Sequence, residues 1–258
     1  MLENQEKVEY VTPLYVENPS ECFFYHVMEM PGIGVVGDQW DLRATIDDYL
    51  GHFNFNNKCA LDVGTASGFL TFEMEKRGAS VVSVDLESGD QWDIVPFVKE
   101  DYDLKQEIAN RKGNLTQLKN GYWLAHRLLG SKARVYYGNI YELPKELGQF
   151  DVVVLGAILL HLRDPFKALQ SACQLCNDTV IVTDIYYHSE APTMLFVPDW
   201  DKLAPRDTWW MISESCMHQM LRTLGFPYVT ITQKEHSILH HPTLKSIKCS
   251  TYVGRRNL

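Results

Sequence analysis

Residues 58–86, KCALDVGTASGFLTFEMEKRGASVVSVDL, hold in order an apolar run, a glycine-bearing turn, a helical pattern, a second apolar run and a terminal acid. Cys59–Val63 and Ser80–Asp85 are apolar without alternation, so they read as strands covered on both faces. Gly64 and Gly68 let the backbone turn sharply and come close to a ligand. Ala66, where a further glycine would fit, adds only a methyl group. The helix read over Gly68–Arg77 begins there, with unpaired N–H groups facing the turn. In an open α/β sheet the ligand sits beyond the carboxyl ends of the strands, and an acid ending the second strand meets ribose hydroxyls. Asp85 is that acid.

The spacing separates two kinds of nucleotide ligand. A nicotinamide dinucleotide site needs glycines at relative positions one, three and six to hold a pyrophosphate. Here Gly64, Ala66 and Gly68 stand at one, three and five, and the dinucleotide spacing fails. Asp62, just before the turn, suits a cation better than a pyrophosphate. S-adenosyl-L-methionine, with a sulfonium and an ammonium group, satisfies both conditions.

Working outward, short β-rich runs alternate with helical patterns, which predicts a mostly parallel sheet under helices. Further strands are read at Ala133–Tyr137, Phe150–Leu155 and Thr179–Asp184. Helices are read at Leu115–Leu129, Pro165–Cys176 and Ser213–Leu224, the last capped by Ser213 and stopped by Gly225. Tyr228–Gln233 and Ser246–Val253 have no helical period between them and predict a C-terminal antiparallel hairpin. Seven strands result. Residues 86–132 form an insertion between the second and third of them, with Trp92, Tyr102, Tyr122 and Trp123. Residues 1–57, with Pro13, Pro19, Pro31 and the aromatics Phe23, Phe24, Tyr25 and Trp40, read as an extension laid over the sheet mouth as a lid. The catalytic domain then spans 58–258.

Composition narrows the partners. The chain has 24 Lys plus Arg against 33 Asp plus Glu, a net charge of -9. Binding to nucleic acid rests on neutralised phosphates, so this balance disfavours it. No apolar run reaches the roughly 18 residues of a membrane span, and the acidic start MLENQEKVEY is no targeting peptide, so a cytoplasmic location is expected. The six cysteines show no framework rhythm and are read as thiols, Cys173 and Cys176 on a helix. His240-His241 has no third ligand near it, and no metal is expected.

On these residues the chain resembles the class I S-adenosylmethionine-dependent methyltransferases. Asp62–Gly68 is similar to their first motif and Asp85, followed by Leu86, to the acid of the second. Gly138-Asn139-Ile140 is similar to the segment flanking adenine, with Asn139 where Asp is frequent. Phe150–Gly156 resembles the fourth-strand motif. The runs GDQWDLR, LDVGTASGF, FDVVVLGAILLHLRDP and TWWMISESCMHQMLRTLGF are similar to the branch holding the tRNA wobble-uridine carboxymethyltransferases and related small-molecule enzymes, some of them in secondary metabolism. The resemblance implies a Rossmann-like fold, S-adenosyl-L-methionine as cofactor, and a cofactor site of Asp62, Gly64, Thr65, Ala66, Gly68, Asp85, Leu86, Asn139, Ile140 and Gly156.

Methyl transfer needs an aligned acceptor and, for a hydroxyl or amine, a base. His161, after the fourth strand, is the first candidate, and His26 in the extension is the second. Asp184, Tyr186, Tyr187 and His188 follow the fifth strand. Trp40, Arg43, Tyr186, Trp209 and Trp210 are the candidate substrate contacts, Arg43 as a partner for a carboxylate. The acceptor expected is a small or peptide-like molecule. A tRNA-modifying enzyme and a non-catalytic cofactor-binding protein are the alternatives, and the oligomeric state, a homodimer included, stays open.

Overall fold

The computed structural model describes residues 8–240 and 243–257; His241 lies outside them. In chain order the elements are β1 (Met28–Met30), β2 (Gly34–Val36), β3 (Trp40–Asp41), α1 (Ile46–Tyr49), β4 (Cys59–Val63), α2 (Phe69–Lys76), β5 (Ser80–Asp85), α3 (Leu104–Leu129), β6 (Arg134–Tyr137) and β7 (Phe150–Gly156). They continue with α4 (Pro165–Cys173), β8 (Cys176–Ile185), β9 (Met194–Phe196), β10 (Trp210–Ile212), α5 (Glu214–Thr223), β11 (Tyr228–Ile238) and β12 (Ser246–Arg255).

The main sheet runs β3-β11-β12-β8-β7-β4-β5-β6. β8, β7, β4, β5 and β6 are parallel, and β12 returns antiparallel between β8 and β11. The fold is thus the α/β Rossmann-like arrangement with a C-terminal antiparallel hairpin. The count needs correction from seven strands to eight. Trp40–Asp41 pairs with Ser237–Ile238 at the sheet edge, and a two-residue strand leaves no period to read.

Alternate side chains of each strand enter opposite cores. Leu61, Val63, Val82, Val153, Leu155 and Val182 pack with Leu169 of α4 and Met217 and Leu221 of α5. Ala60, Val81, Val152, Val154 and Ile181 pack with Phe69 and Met74 of α2 and Trp123 and Leu124 of α3. Both faces are therefore dry, which is why these strands are continuous apolar runs.

Two further readings change. α3 begins at Leu104, not Leu115, with the Asp103 side chain accepting the Gln106 N–H as its cap. Its first turns, LKQEIANRKGN, bury only Glu107 and so lack an apolar stripe. Cys176 starts β8 instead of closing a helix. Two small hairpins, β1 with β2 and β9 with β10, have strands of three residues, too short to show a period in the sequence.

Leu61 is fully buried whereas Leu239 is 53% exposed. Leu61→Ala is expected to lower the unfolding free energy by about 2–5 kcal/mol. Leu239→Ala should change it by less than about 0.5 kcal/mol. Urea denaturation of both variants checks the difference.

Candidate active site

The turn after β4 is built on left-handed backbone. Gly64 has φ +81° and Gly68 φ +90°. A Cβ on Gly64 would lie 2.9 Å from Ile158, and one on Gly68 2.5 Å from Phe72. Ala66 takes φ 50° without being glycine, a conformation that costs of order 1 kcal/mol or more. Asp85, at the end of β5, fixes this geometry. Its Oδ2 accepts the Ala66 N–H at 2.7 Å and its Oδ1 accepts the Leu86 N–H at 2.7 Å. Burial raises its pKa, against the two N–H groups and the nearby Lys119 ammonium.

Beneath the turn lies a dry polar chain. Thr71 donates to Asp62 Oδ2 at 2.6 Å, stands 2.7 Å from the Ser83 hydroxyl and 2.9 Å from that of Thr65. The Thr71 proton is committed to Asp62, so Thr71 accepts from Ser83, and Ser83 accepts from Tyr122 at 2.9 Å. Asp62 Oδ1 is buried and has no partner. Burial pushes the Asp62 pKa up to about 6, opposed by the hydrogen bonds of Thr71 and Thr65.

The N-terminal segment crosses the turn. The Tyr25 N–H donates to Ser67 Oγ at 3.0 Å, and Trp40 Nε1 donates to the Tyr25 hydroxyl at 3.2 Å. His26 stacks on Phe69, the first residue of α2, with ring centroids 5.4 Å apart. Its Nδ1 is buried without a partner, and burial lowers its pKa to about 4, so the ring is neutral at physiological pH. Arg43 is placed elsewhere. It makes a two-point ion pair with Asp41, at 2.8 and 2.7 Å, and lines a large cleft of about 1770 Å³. That cleft includes Cys59, Ser80, Arg134 and Phe150, which lie at the amino ends of the strands, opposite the glycine turn. Size alone would nominate it. The turn, the strand ends and the unpartnered carboxylates lie at the other end.

The end of β7 carries the residues that the sequence proposes for the acceptor side. Gly156 leaves room for Leu70 and Tyr49, which a Cβ would meet at 2.6 and 3.1 Å. His161 follows on a short 3-10 turn, Leu159–His161. Its Nδ1 is hydrogen-bonded to the backbone oxygen of Asp207. A carbonyl only accepts, so Nδ1 carries the proton and the lone pair of the neutral ring lies on Nε2. Asp184, the last residue but one of β8, is 5% exposed; Ile185 N–H donates to its Oδ1, and its Oδ2 has no partner. Burial pushes its pKa up to about 7 against the N–H groups of Ile185 and Leu160.

Other candidates have defined partners. Asn139 accepts the Tyr141 N–H at 2.9 Å, capping a 3-10 turn, and Ile140 is buried in the α4 and α5 core. Tyr186 lies under Lys248, whose ammonium is 4.1 Å from its ring centre. Trp209 Nε1 donates to Asp93 O and Trp210 Nε1 to Arg163 O, and Phe196 meets both rings edge-on. The two tryptophans thus anchor the β9–β10 hairpin beside the His161 turn, with Trp209 N–H donating to Leu160 O at 2.8 Å. Among the described residues no group of three or more His, Cys, Asp or Glu could hold a metal. His240 pairs with Asp38 at 2.8 Å.

Tyr25, Thr71, Ser83, Tyr122 and Asp207 also bond into the turn or to His161, and the sequence singles none of them out for the site. Each is ordinary in its own stretch, and only the fold brings them to the turn or to His161.

Residues 40–231, well over half of the chain, match the family model described as Methyltransferase domain. Among curated proteins none matches in sequence. Among solved structures, magnesium protoporphyrin IX methyltransferase (ChlM) from Synechocystis PCC 6803, with bound SAH, superposes with a TM-score of 0.50 at 15% identity, over 84% of this chain and 82% of that one. The N-terminal domain of EvdMO1 with SAH bound gives 0.52 at 15% identity, over 90% of both chains. The same domain in the presence of SAH and D-fucose gives 0.51, also at 15% identity and over 90% of each chain. These structures share the fold. By its family model, the chain belongs to the methyltransferase domain family.

Proposed function

We propose that this methyltransferase takes its methyl group from S-adenosyl-L-methionine and passes it to an oxygen or nitrogen of a small or peptide-derived acceptor. The observation that carries the reading is the Asp85 carboxylate bonded to the Ala66 and Leu86 N–H groups at the mouth of the turn. Each of its oxygens keeps a lone pair for a ribose hydroxyl. The unpartnered Asp62 Oδ1 also fits, because the cofactor brings cationic groups that a buried, half-satisfied carboxylate would stabilise.

In this reading Gly64, Thr65, Ala66 and Gly68 hold the cofactor by backbone, with Asp62 beneath, Asp85 and Leu86 at the ribose, and Asn139 and Ile140 at the base. Gly156 borders the methyl-bearing end. When bound, the cofactor supplies an electrophilic methyl carbon on sulfur. His161 Nε2 removes the proton from the acceptor hydroxyl or amine, with Nδ1–H held on the Asp207 carbonyl. Tyr25, His26 and Trp40, laid across Ser67–Phe69, act as the lid that excludes water. His26, neutral and lacking a partner at Nδ1, is the second candidate for handling the proton. Trp209, Trp210 and Tyr186 border the acceptor; Arg43, ion-paired with Asp41 and lining the cleft at the amino ends of the strands, is not assigned to it.

The acidic balance favours a small acceptor over the tRNA-modifying alternative. Two structural neighbours, one named for magnesium protoporphyrin IX and one studied with D-fucose, fit that choice. No helix among the described residues is long and apolar enough to cross a membrane, and we assign the enzyme to the cytoplasm.

Asp85→Ala is expected to weaken S-adenosyl-L-methionine binding by about 10- to 100-fold, the loss of hydrogen bonds to a charged group. Calorimetry reads this directly, and an unchanged affinity would reject the cofactor assignment. His161→Ala should leave that affinity intact and slow transfer to a responding acceptor by about 10²–10⁴-fold. The acceptor is to be found by screening small hydroxyl- and amine-bearing molecules with radiolabelled methyl donor. Undiminished transfer would remove His161 from the mechanism.

The unpartnered acids carry a stability cost with a definite sign. Asp184 titrates at about 7 in the folded chain, against roughly 3.9 when unfolded. Between these values the folded state binds more protons, so stability falls as pH rises and stays reduced above about 7. Asp62 adds the same trend up to about 6. Asp184→Asn should therefore raise the melting temperature of the ligand-free protein near pH ~8 and flatten its decline from pH ~4 upward. An equal or lower melting temperature at the alkaline end would show that Asp184 has a compensating partner.

A further inference from the structure

His161 depends on one backbone carbonyl, and that carbonyl belongs to a residue whose side chain is tied to the insertion helix. Asp207 Oδ2 receives Arg111 Nη1 at 2.7 Å, while Arg111 Nε bonds Glu107 Oε1 at 2.9 Å. Glu107 Oε2 is held in turn by Arg206 Nη1 at 3.1 Å. Glu107 and Arg111 sit one turn apart on α3, and their side chains are only 7% and 16% exposed. The Arg111 guanidinium also lies 5.2 Å from the centre of the Trp92 ring. This is a planar fork held on three sides and largely screened from water. Such an arrangement fixes a loop far better than an exposed ion pair does.

The loop it fixes is short and enters the site. The Arg206 O accepts the Val95 N–H at 2.8 Å, and the Trp209 N–H donates to Leu160 O at 2.8 Å. Between those two ties lies Asp207, whose carbonyl faces His161 Nδ1. Its carboxylate is near enough to Tyr25 to raise that residue's pKa, after burial itself and against the Trp40 hydrogen bond. The ion-pair cluster therefore ties the insertion to the His161 turn, and its Asp207 charge is felt at Tyr25 of the lid.

We infer that Arg111, with Glu107, is a positioning residue that sets the tautomer of His161 by holding the Asp207 carbonyl against Nδ1. The inference rests on the assignment of His161 as the base, which needs the lone pair on Nε2. A free neutral imidazole in water favours the proton on Nε2, which would leave Nδ1 as the basic nitrogen, turned away from the acceptor. Holding the carbonyl against Nδ1 reverses that preference. It also gives the insertion at residues 86–132 a role in the chemistry without a contact to substrate.

Long-range proton–nitrogen spectra of histidine-labelled protein, recorded above the ring's titration, read the tautomer without any acceptor. The His161 signals are assigned by their disappearance in His161→Asn. The wild-type ring is expected in the Nδ1–H form. In Arg111→Gln and in Asp207→Asn, which keeps the carbonyl but weakens its tether, the pattern should shift to a majority of Nε2–H. Arg77→Gln, which breaks the remote pair with Asp47, should leave it unchanged. If Arg111→Gln does not fold, by circular dichroism, Asp207→Asn decides. A wild-type ring in the Nε2–H form, or Nδ1–H retained in the folded variants, overturns the inference. If the tautomer shifts as stated but His161→Ala transfers methyl undiminished, the positioning stands and the base assignment fails. The two readings therefore fail separately.

Discussion

A carboxylate at the end of one strand holds the turn that follows its neighbour. Asp85 accepts one N–H from Ala66 and one from Leu86, and so binds the β4 turn to the β5 end. Without that acceptor the left-handed Ala66 would lose the contact that offsets its strain, and its half-buried N–H would lose its partner. The Tyr25 N–H bonds Ser67 in this same turn, so the lid inherits its position from it. The Asp85 charge shapes the backbone before any ligand arrives.

The other side of the site is organised around deficits. Asp62 Oδ1, Asp184 Oδ2 and His26 Nδ1 are buried polar atoms lacking partners. A fold selected for stability alone would fill or neutralise them, since each costs on the order of 1–3 kcal/mol. They lie near the turn and the carboxyl ends of the parallel strands, where the proposed cofactor and acceptor would meet them. The His161 ring is held differently: its Nδ1 bonds the Asp207 carbonyl, which leaves the lone pair of the neutral ring on Nε2.

Much of this was legible in residues 58–86 and in the apolar runs around them. A strand dry on both faces must be apolar throughout, so VVSVD and DVVVLG announce a parallel sheet, and glycine spacing distinguishes one nucleotide ligand from another. The C-terminal hairpin was legible for the converse reason, as no helical period separates its strands. Features without periodicity were not. The two residues of β3, the three-residue strands β9 and β10, and the polar first half of α3 carry no repeating pattern, because tertiary pairing and an Asp103 cap decide them. In the site, Asp62 and Asp85 stood out by their place after strands. Thr71, Ser83 and Tyr122 did not, since a lone hydroxyl on an apolar element looks like packing until three of them line up toward one carboxylate. Asp207 acts through its main chain, and nothing in its side chain could have disclosed that.

A wide cleft bounded by Cys59, Ser80, Arg134 and Phe150 opens at the amino ends of the strands, whereas the proposed reaction lies at the opposite end of the sheet. A crystal structure with S-adenosylhomocysteine discriminates between the two most directly. Ligand density is expected over Gly64–Gly68, with both ribose hydroxyls on Asp85 and the sulfur facing Gly156 and His161. Density in the amino-end cleft, or a ribose lying away from Asp85, would contradict that placement.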